Sequence, residues 1–134
     1  MTSDLDPKSV LAEVFGFSTF RGDQQEIIEH VTSGGDAVVL MPTGGGKSIC
    51  YQIPALCREG TGIVLSPLVA LMHDQVAALQ LAGVRAAALN STMSIEDRRD
   101  IEQAYIAGKL DMLYLAPERL SSPGTIELLK RGRI

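Results

Sequence analysis

The 134 residues suffice for one domain or part of one, and they are 46% hydrophobic and 21% charged with a net charge of −4 at pH 7. That balance excludes a disordered chain, which would lack the apolar residues to form a core. The negative charge excludes a whole-molecule positive field for gathering nucleic acid, so any such contact must rest on local donors.

The acidic start, Met-Thr-Ser-Asp-Leu-Asp, lacks the basic-then-apolar layout of a signal peptide. No apolar run approaches the roughly 20 residues of a membrane span, so no membrane partner is expected and the expected compartment is cytoplasmic. Asp6-Pro7 reads as an N-cap followed by a proline in the first helical turn, with Gly16 ending that helix. A second helix is predicted from Asp23, with Glu26 as its capping-box partner and Gly34 as its stop. Ile27, Ile28 and Val31 supply its apolar stripe. Ala37-Val38-Val39-Leu40-Met41 is a continuous apolar run, the pattern of a strand buried on both faces. A glycine loop, Gly44-Gly45-Gly46, follows it, and a helix is expected from Lys47 that Pro54 should kink or split. Cys50 and Cys57, seven apart, match no zinc or disulfide spacing and read as small apolar residues on one helix face.

The alternation then repeats. Ile63-Val64-Leu65 is a predicted strand, and Ser66-Pro67 caps a helix with Leu68, Leu71, Met72, Val76 and Leu79 on one side. Ala86 to Leu89 is a weaker strand, followed by a helix from Ser94 to about Ala107. Met112-Leu113-Tyr114-Leu115 is another strand, and the tail from Gly124 reads as helix. His30 and His73 have no metal-ligand spacing and are placed on helix surfaces. Strands alternating with helices of this length imply parallel βαβ units with helices on both faces of the sheet. The class is α/β.

The strongest chemistry lies in Met41-Pro42-Thr43-Gly44-Gly45-Gly46-Lys47-Ser48. Glycines let backbone N–H groups approach phosphate oxygens without a Cβ in the way. The following helix directs its positive dipole end at the same oxygens. Lys47 adds a full charge near the β and γ phosphates, and the Ser48 hydroxyl suits one corner of a magnesium octahedron. The usual G-x-x-x-x-G-K-[ST] pattern has glycine where this chain has Met41.

Upstream, Leu11, Phe15, Gly16, Phe20, Arg21 and Gln24 form the spacing L-x3-F-G-x3-F-R-x2-Q. This resembles the adenine-recognition motif of RecQ helicases, a superfamily 2 group in which a small or apolar first residue of the phosphate loop is common. Ser66-Pro67-Leu68 with Asp74-Gln75, Asn90-Ser91-Thr92 and Ala116-Pro117-Glu118-Arg119-Leu120 resemble further segments of that family, in its order and spacing. The resemblance runs from about Leu11 to Leu120.

It implies a P-loop NTPase of RecA-like, three-layer α/β/α architecture with a mostly parallel sheet, incomplete at its C-terminal end. Residues 1–35 would form an N-terminal helical segment and 36–134 a partial ATP-binding domain. The implied activity is that of an ATP-dependent 3′-to-5′ DNA helicase in recombination and repair. ATP and Mg2+ would be its cofactors, single-stranded and partially duplex DNA its partners, and zinc is not expected in this part. Lys47 and Ser48 would carry the catalytic contribution, with Ser48 holding the ion. The Gln24 amide can donate to one adenine edge atom and accept from another, which selects ATP over GTP. The resemblance sets Phe17 against the adenine face, though core packing is the alternative, as it is for Phe15 and Phe20; Arg21 would stack on or hydrogen-bond around the base. Ser66, Asn90 and Arg119 would line the path of one DNA strand, although Ser66 also reads as a helix cap, Asn90 as a turn start and Arg119 as solvated surface.

Family members next carry Asp-Glu-x-His, whose carboxylates orient magnesium and polarise water, and no such sequence occurs here. The expectation is weak nucleotide binding without hydrolysis or unwinding, and low stability, because the missing strand would lie beside the phosphate-loop strand. An alternative is a non-catalytic nucleotide-binding module that regulates a partner. A small P-loop kinase would leave Gln24 and its upstream spacing unexplained.

Overall fold

The computed structural model describes residues 6–41, 46–90 and 92–134. The chain divides into two compact units, Met1–Glu59 and Gly60–Ile134.

The described elements of the first unit are three helices: α1 (Pro7–Glu13), α2 (Gln24–Thr32) and α3 (Ile49–Cys57). Pro7 occupies the first turn of α1, where a missing N–H sacrifices no helical bond. The expected capping box of α2 does not form. Asp23 has φ −87° and ψ 6°, outside the extended geometry that aims a capping carboxylate at the N–H groups ahead, and its side chain makes no cap bond. Helix α3 begins at Ile49, two residues later than expected, and runs unbroken through Pro54. An interior proline costs a helix about 3 kcal/mol. Fully burying an aliphatic side chain contributes about 1.5–3 kcal/mol, and both Ile53 and Leu56 of α3 are buried. Packing of α3 against α1 and α2 therefore outweighs the proline. Val10, Leu11, Ile28, Cys50 and Cys57 complete this core, both cysteines as free thiols.

The strand expected over Ala37–Met41 is not formed: the segment lacks regular structure, and Val38 and Leu40 are each 93% exposed. An apolar run becomes a strand only by giving its N–H and C=O groups to a neighbouring ladder, and the described elements of its own unit are all helices.

The second unit holds β1 (Gly62–Leu65), α4 (Val69–Leu81), β2 (Ala86–Leu89), α5 (Ile95–Ile106), β3 (Met112–Leu115) and α6 (Pro123–Arg131), with a 3-10 turn at Pro117–Ser121 before α6. The three strands form a parallel sheet in the order β1-β3-β2, with Leu65 and Leu89 both in register with Leu115. As expected for a parallel sheet covered by crossover helices, the central β3 is buried along its whole length. Its neighbour β1 is only partly covered, and Leu65 is exposed. Ala87, Leu89, Tyr105, Leu110, Leu113, Leu115 and Leu128 make one continuous core.

Polar groups fix the strand entries. Asp111, just before β3, accepts from the Arg85 backbone N–H at 2.9 Å and from its guanidinium at 2.9 Å, just before β2. The Thr61 hydroxyl, just before β1, donates to the Leu110 carbonyl at 2.8 Å. The helix expected from Ser94 forms, and Ser94 is its N-cap, its Oγ accepting from the Asp97 N–H at 3.1 Å. Ser66, by contrast, is not the N-cap of α4. That position falls to Leu68, and the Ser66 Oγ instead accepts from the Leu68 N–H at 3.2 Å in a short hydroxyl turn. Met72, Val76 and Leu79 face inward from α4, whereas Leu68 and Leu71 are exposed.

Candidate functional site

A cavity of about 590 Å³ opens in the first unit between the loop that joins α1 to α2 and the start of α3. Gly16, with φ +75°, lets the chain reverse out of α1, and the Phe17 N–H returns to donate to the Leu11 carbonyl at 3.2 Å. That return leaves the Phe17 ring 55% exposed at the cavity wall. Arg21 is exposed on the same wall.

Gln24 is the first residue of α2 and is only 3% exposed. Its Oε1 accepts from the Arg21 backbone N–H at 2.8 Å, and its Nε2 donates to the Gly46 carbonyl at 3.2 Å. Gly46 has φ +78°, a conformation that glycine adopts without strain, and a Cβ there would collide with the Gln24 amide nitrogen. The Cys50 thiol also donates to the Gly46 carbonyl, at 3.8 Å, and burial pushes that thiol above its ordinary pKa. Lys47 and Ser48 follow directly in a turn that leads into α3, and both line the cavity.

Seven residues singled out in the sequence thus line one cavity: Leu11, Phe17, Arg21, Gln24, Gly46, Lys47 and Ser48. Met41 is half-buried and does not line it. Pro42, Thr43, Gly44 and Gly45 lie outside the described residues. Sequence reasoning passed over Ser18, Thr19 and Ile49, which also line the cavity. Two adjacent hydroxyl residues between Phe17 and Phe20 are the available signal for Ser18 and Thr19.

The remaining three predicted residues belong to the second unit, at the carboxyl ends of its strands. Ser66 follows β1, and its N–H donates to the Leu115 carbonyl at 3.0 Å. Asn90 follows β2 and is buried, its Oδ1 accepting from the N–H and hydroxyl of Thr92. Arg119 lies in the 3-10 turn after β3, with a buried Nε that has no hydrogen-bond partner among the described residues. The carboxyl end of a parallel sheet is where open α/β folds bind ligands, because helix N-termini and loops gather there. Ser66 and Asn90 spend their side-chain acceptors on local turns, which orders those loops.

Relatives match this arrangement along nearly the whole chain. A RecQ ATP-dependent DNA helicase of Haemophilus influenzae is 44% identical over 126 residues, covering 94% of this chain and 20% of the relative. A RecQ ATP-dependent DNA helicase of Bacillus subtilis is 48% identical over 124 residues, covering 92% of this chain and 21% of the relative. The chain therefore spans about a fifth of the length of these curated relatives. Among solved structures, the DUF1998 helicase MrfA bound to DNA and AMPPNP superposes with a TM-score of 0.75 at 19% identity, over 96% of this chain and 19% of that one. That likeness shows the RecA-like α/β fold. The DEAD/DEAH box helicase family matches residues 21–132, and with this match the chain belongs to that family, on its RecQ branch.

Proposed function

We propose that the chain is the ATP-binding part of the first motor domain of a RecQ-type DNA helicase. The observation that carries this reading is the single cavity into which Gln24, Phe17 and Arg21 come from one side and Lys47 and Ser48 from the other. In this reading the Gln24 amide selects adenine, because it presents a donor and an acceptor together, where guanine would present two acceptors. Phe17 supplies an exposed apolar face for the base, and the Arg21 guanidinium packs around it.

The donor set fits a magnesium triphosphate. Lys47 is a solvated ammonium beside the α3 N-terminus, and Ser48 offers a hydroxyl one residue on. When bound, Mg2+ would neutralise charge on the phosphates, with the Ser48 hydroxyl as its protein ligand. Met41, Pro42, Thr43, Gly44 and Gly45 complete the proposed phosphate loop. Ser66, Asn90 and Arg119 are the proposed contacts to a single DNA strand, and 3′-to-5′ translocation in recombination and repair is the activity of the whole protein in this reading.

The 134 residues contain no Asp-Glu-x-His, so this chain alone binds nucleotide without hydrolysing it. Titration of ATP against GTP tests the reading. The wild type is expected to prefer ATP, and Gln24→Ala to lose most of that preference, a change of about 1–2 kcal/mol in the ATP–GTP difference. Equal affinity for ATP and GTP in the wild type would remove its basis, and DNA-stimulated phosphate release abolished by Lys47→Ala would overturn the expected inactivity.

A further inference from the structure

We infer that Gln24 is a positioning residue for the phosphates as well as a reader of the purine, an inference that rests on the nucleotide-binding reading above. Its amide bridges two segments 22 residues apart in sequence: the loop before α2 and the residue immediately before Lys47. The two bonds also fix the polarity of the amide. Its oxygen faces the Arg21 N–H and its nitrogen faces the Gly46 carbonyl, so a flip would set like against like at both ends. One N–H and one lone pair then remain to meet a base in a preset order.

The consequence for phosphate follows from the geometry of the peptide bond. The Gly46 carbonyl and the Lys47 N–H belong to one planar trans peptide unit and point in opposite directions. Gripping the carbonyl therefore sets the direction of the N–H. Gln24 provides that grip from a nearly fully buried position, assisted by the Cys50 thiol on the same oxygen. Gly46 must be glycine on two counts, its positive φ and the room it leaves for the Gln24 amide. Without the Gln24 amide only the longer thiol contact holds that oxygen, so the Gly46–Lys47 peptide gains rotational freedom, and ordering it is charged against phosphate binding.

A ligand without a base separates this role from purine reading. Inorganic tripolyphosphate, titrated into the 134-residue chain by calorimetry, should bind roughly 3- to 10-fold more weakly to Gln24→Met, which keeps the volume and neutrality of the side chain but cannot donate. Gln24→Glu retains the acceptor for the Arg21 N–H and so preserves the local fold, but sets an oxygen against the Gly46 carbonyl. Ser18→Glu places a carboxylate in the same cavity without touching Gly46 and measures the cost of charge alone. A larger loss in Gln24→Glu than in Ser18→Glu supports the inference. Tripolyphosphate binding unchanged in Gln24→Met, or equal losses in the two glutamate variants, overturns it while leaving the nucleotide site standing. No binding to the wild type, or binding indifferent to Lys47→Ala, overturns both.

Discussion

At Cys57, the last residue of α3, a thiol is sealed into the core of the first unit. Burial first, and the negative charge of Asp6 second, push its pKa up to about 11 from an ordinary value of 9.0. A pKa raised by folding means that the native state holds its proton more tightly than the unfolded chain does. The associated stability is fully present below pH 9 and is lost as pH rises toward 11. Cys57→Ala should cost about 1 kcal/mol at neutral pH by leaving a small void. Its melting temperature should then fall less steeply than that of the wild type between pH 8 and 10.5, a comparison that scanning calorimetry makes directly. Parallel pH profiles would show that the thiol titrates alike in both states. At this scale the sequence was informative about residue type and silent about partners. The seven-residue spacing of Cys50 and Cys57 correctly reads as one buried helix face, yet nothing local to Gln24 announces a bond to a carbonyl 22 residues away.

Elements show where reading along the chain succeeds and where it stops. Strands β2 and β3 and the start of α5 near Ser94 are legible because their signals are local: a continuous apolar run, or a serine followed by helix-forming residues. Segment 37–41 has the same apolar signal as β3 and forms no strand, because a strand is completed by a partner that the run itself does not encode. The junction of β2 and β3 depends in the same way on a contact across 26 residues, between Arg85 and Asp111. Burial alone would raise the Asp111 pKa, but side-chain and backbone hydrogen bonds and the charge of Arg85 hold it below its ordinary 3.8. A depressed pKa contributes stability that is present above the unfolded value and lost as pH falls through 3.8 toward the lower native value. Asp111→Ala leaves the Arg85 N–H without its acceptor and should cost about 1–3 kcal/mol at pH 7. The gap between variant and wild type should narrow as acid unfolding is followed below pH 4, and a constant gap would place the effect in packing instead.

For the molecule as a whole, the tendency to self-associate follows from the apolar side chains left exposed. No helix among the described residues is long and apolar enough to cross a membrane, and the exposed apolar side chains are consequences of the fold itself. Val38 and Leu40 stand almost wholly in water in a segment whose backbone makes no ladder among the described residues. Such a run of β-favouring residues offers both unpaired backbone groups and apolar side chains to a second chain. Since neither side chain is packed, replacing both by lysine should change stability by no more than about 0.5 kcal/mol per site. The added charges should oppose edge-to-edge pairing. The expected outcome for Val38→Lys/Leu40→Lys is an unchanged melting temperature together with less light scattering at high concentration and a later onset of aggregation on heating. A fall of many degrees in the melt would mean that the two side chains are buried in solution, and that 37–41 has found the strand partner its sequence pattern anticipates.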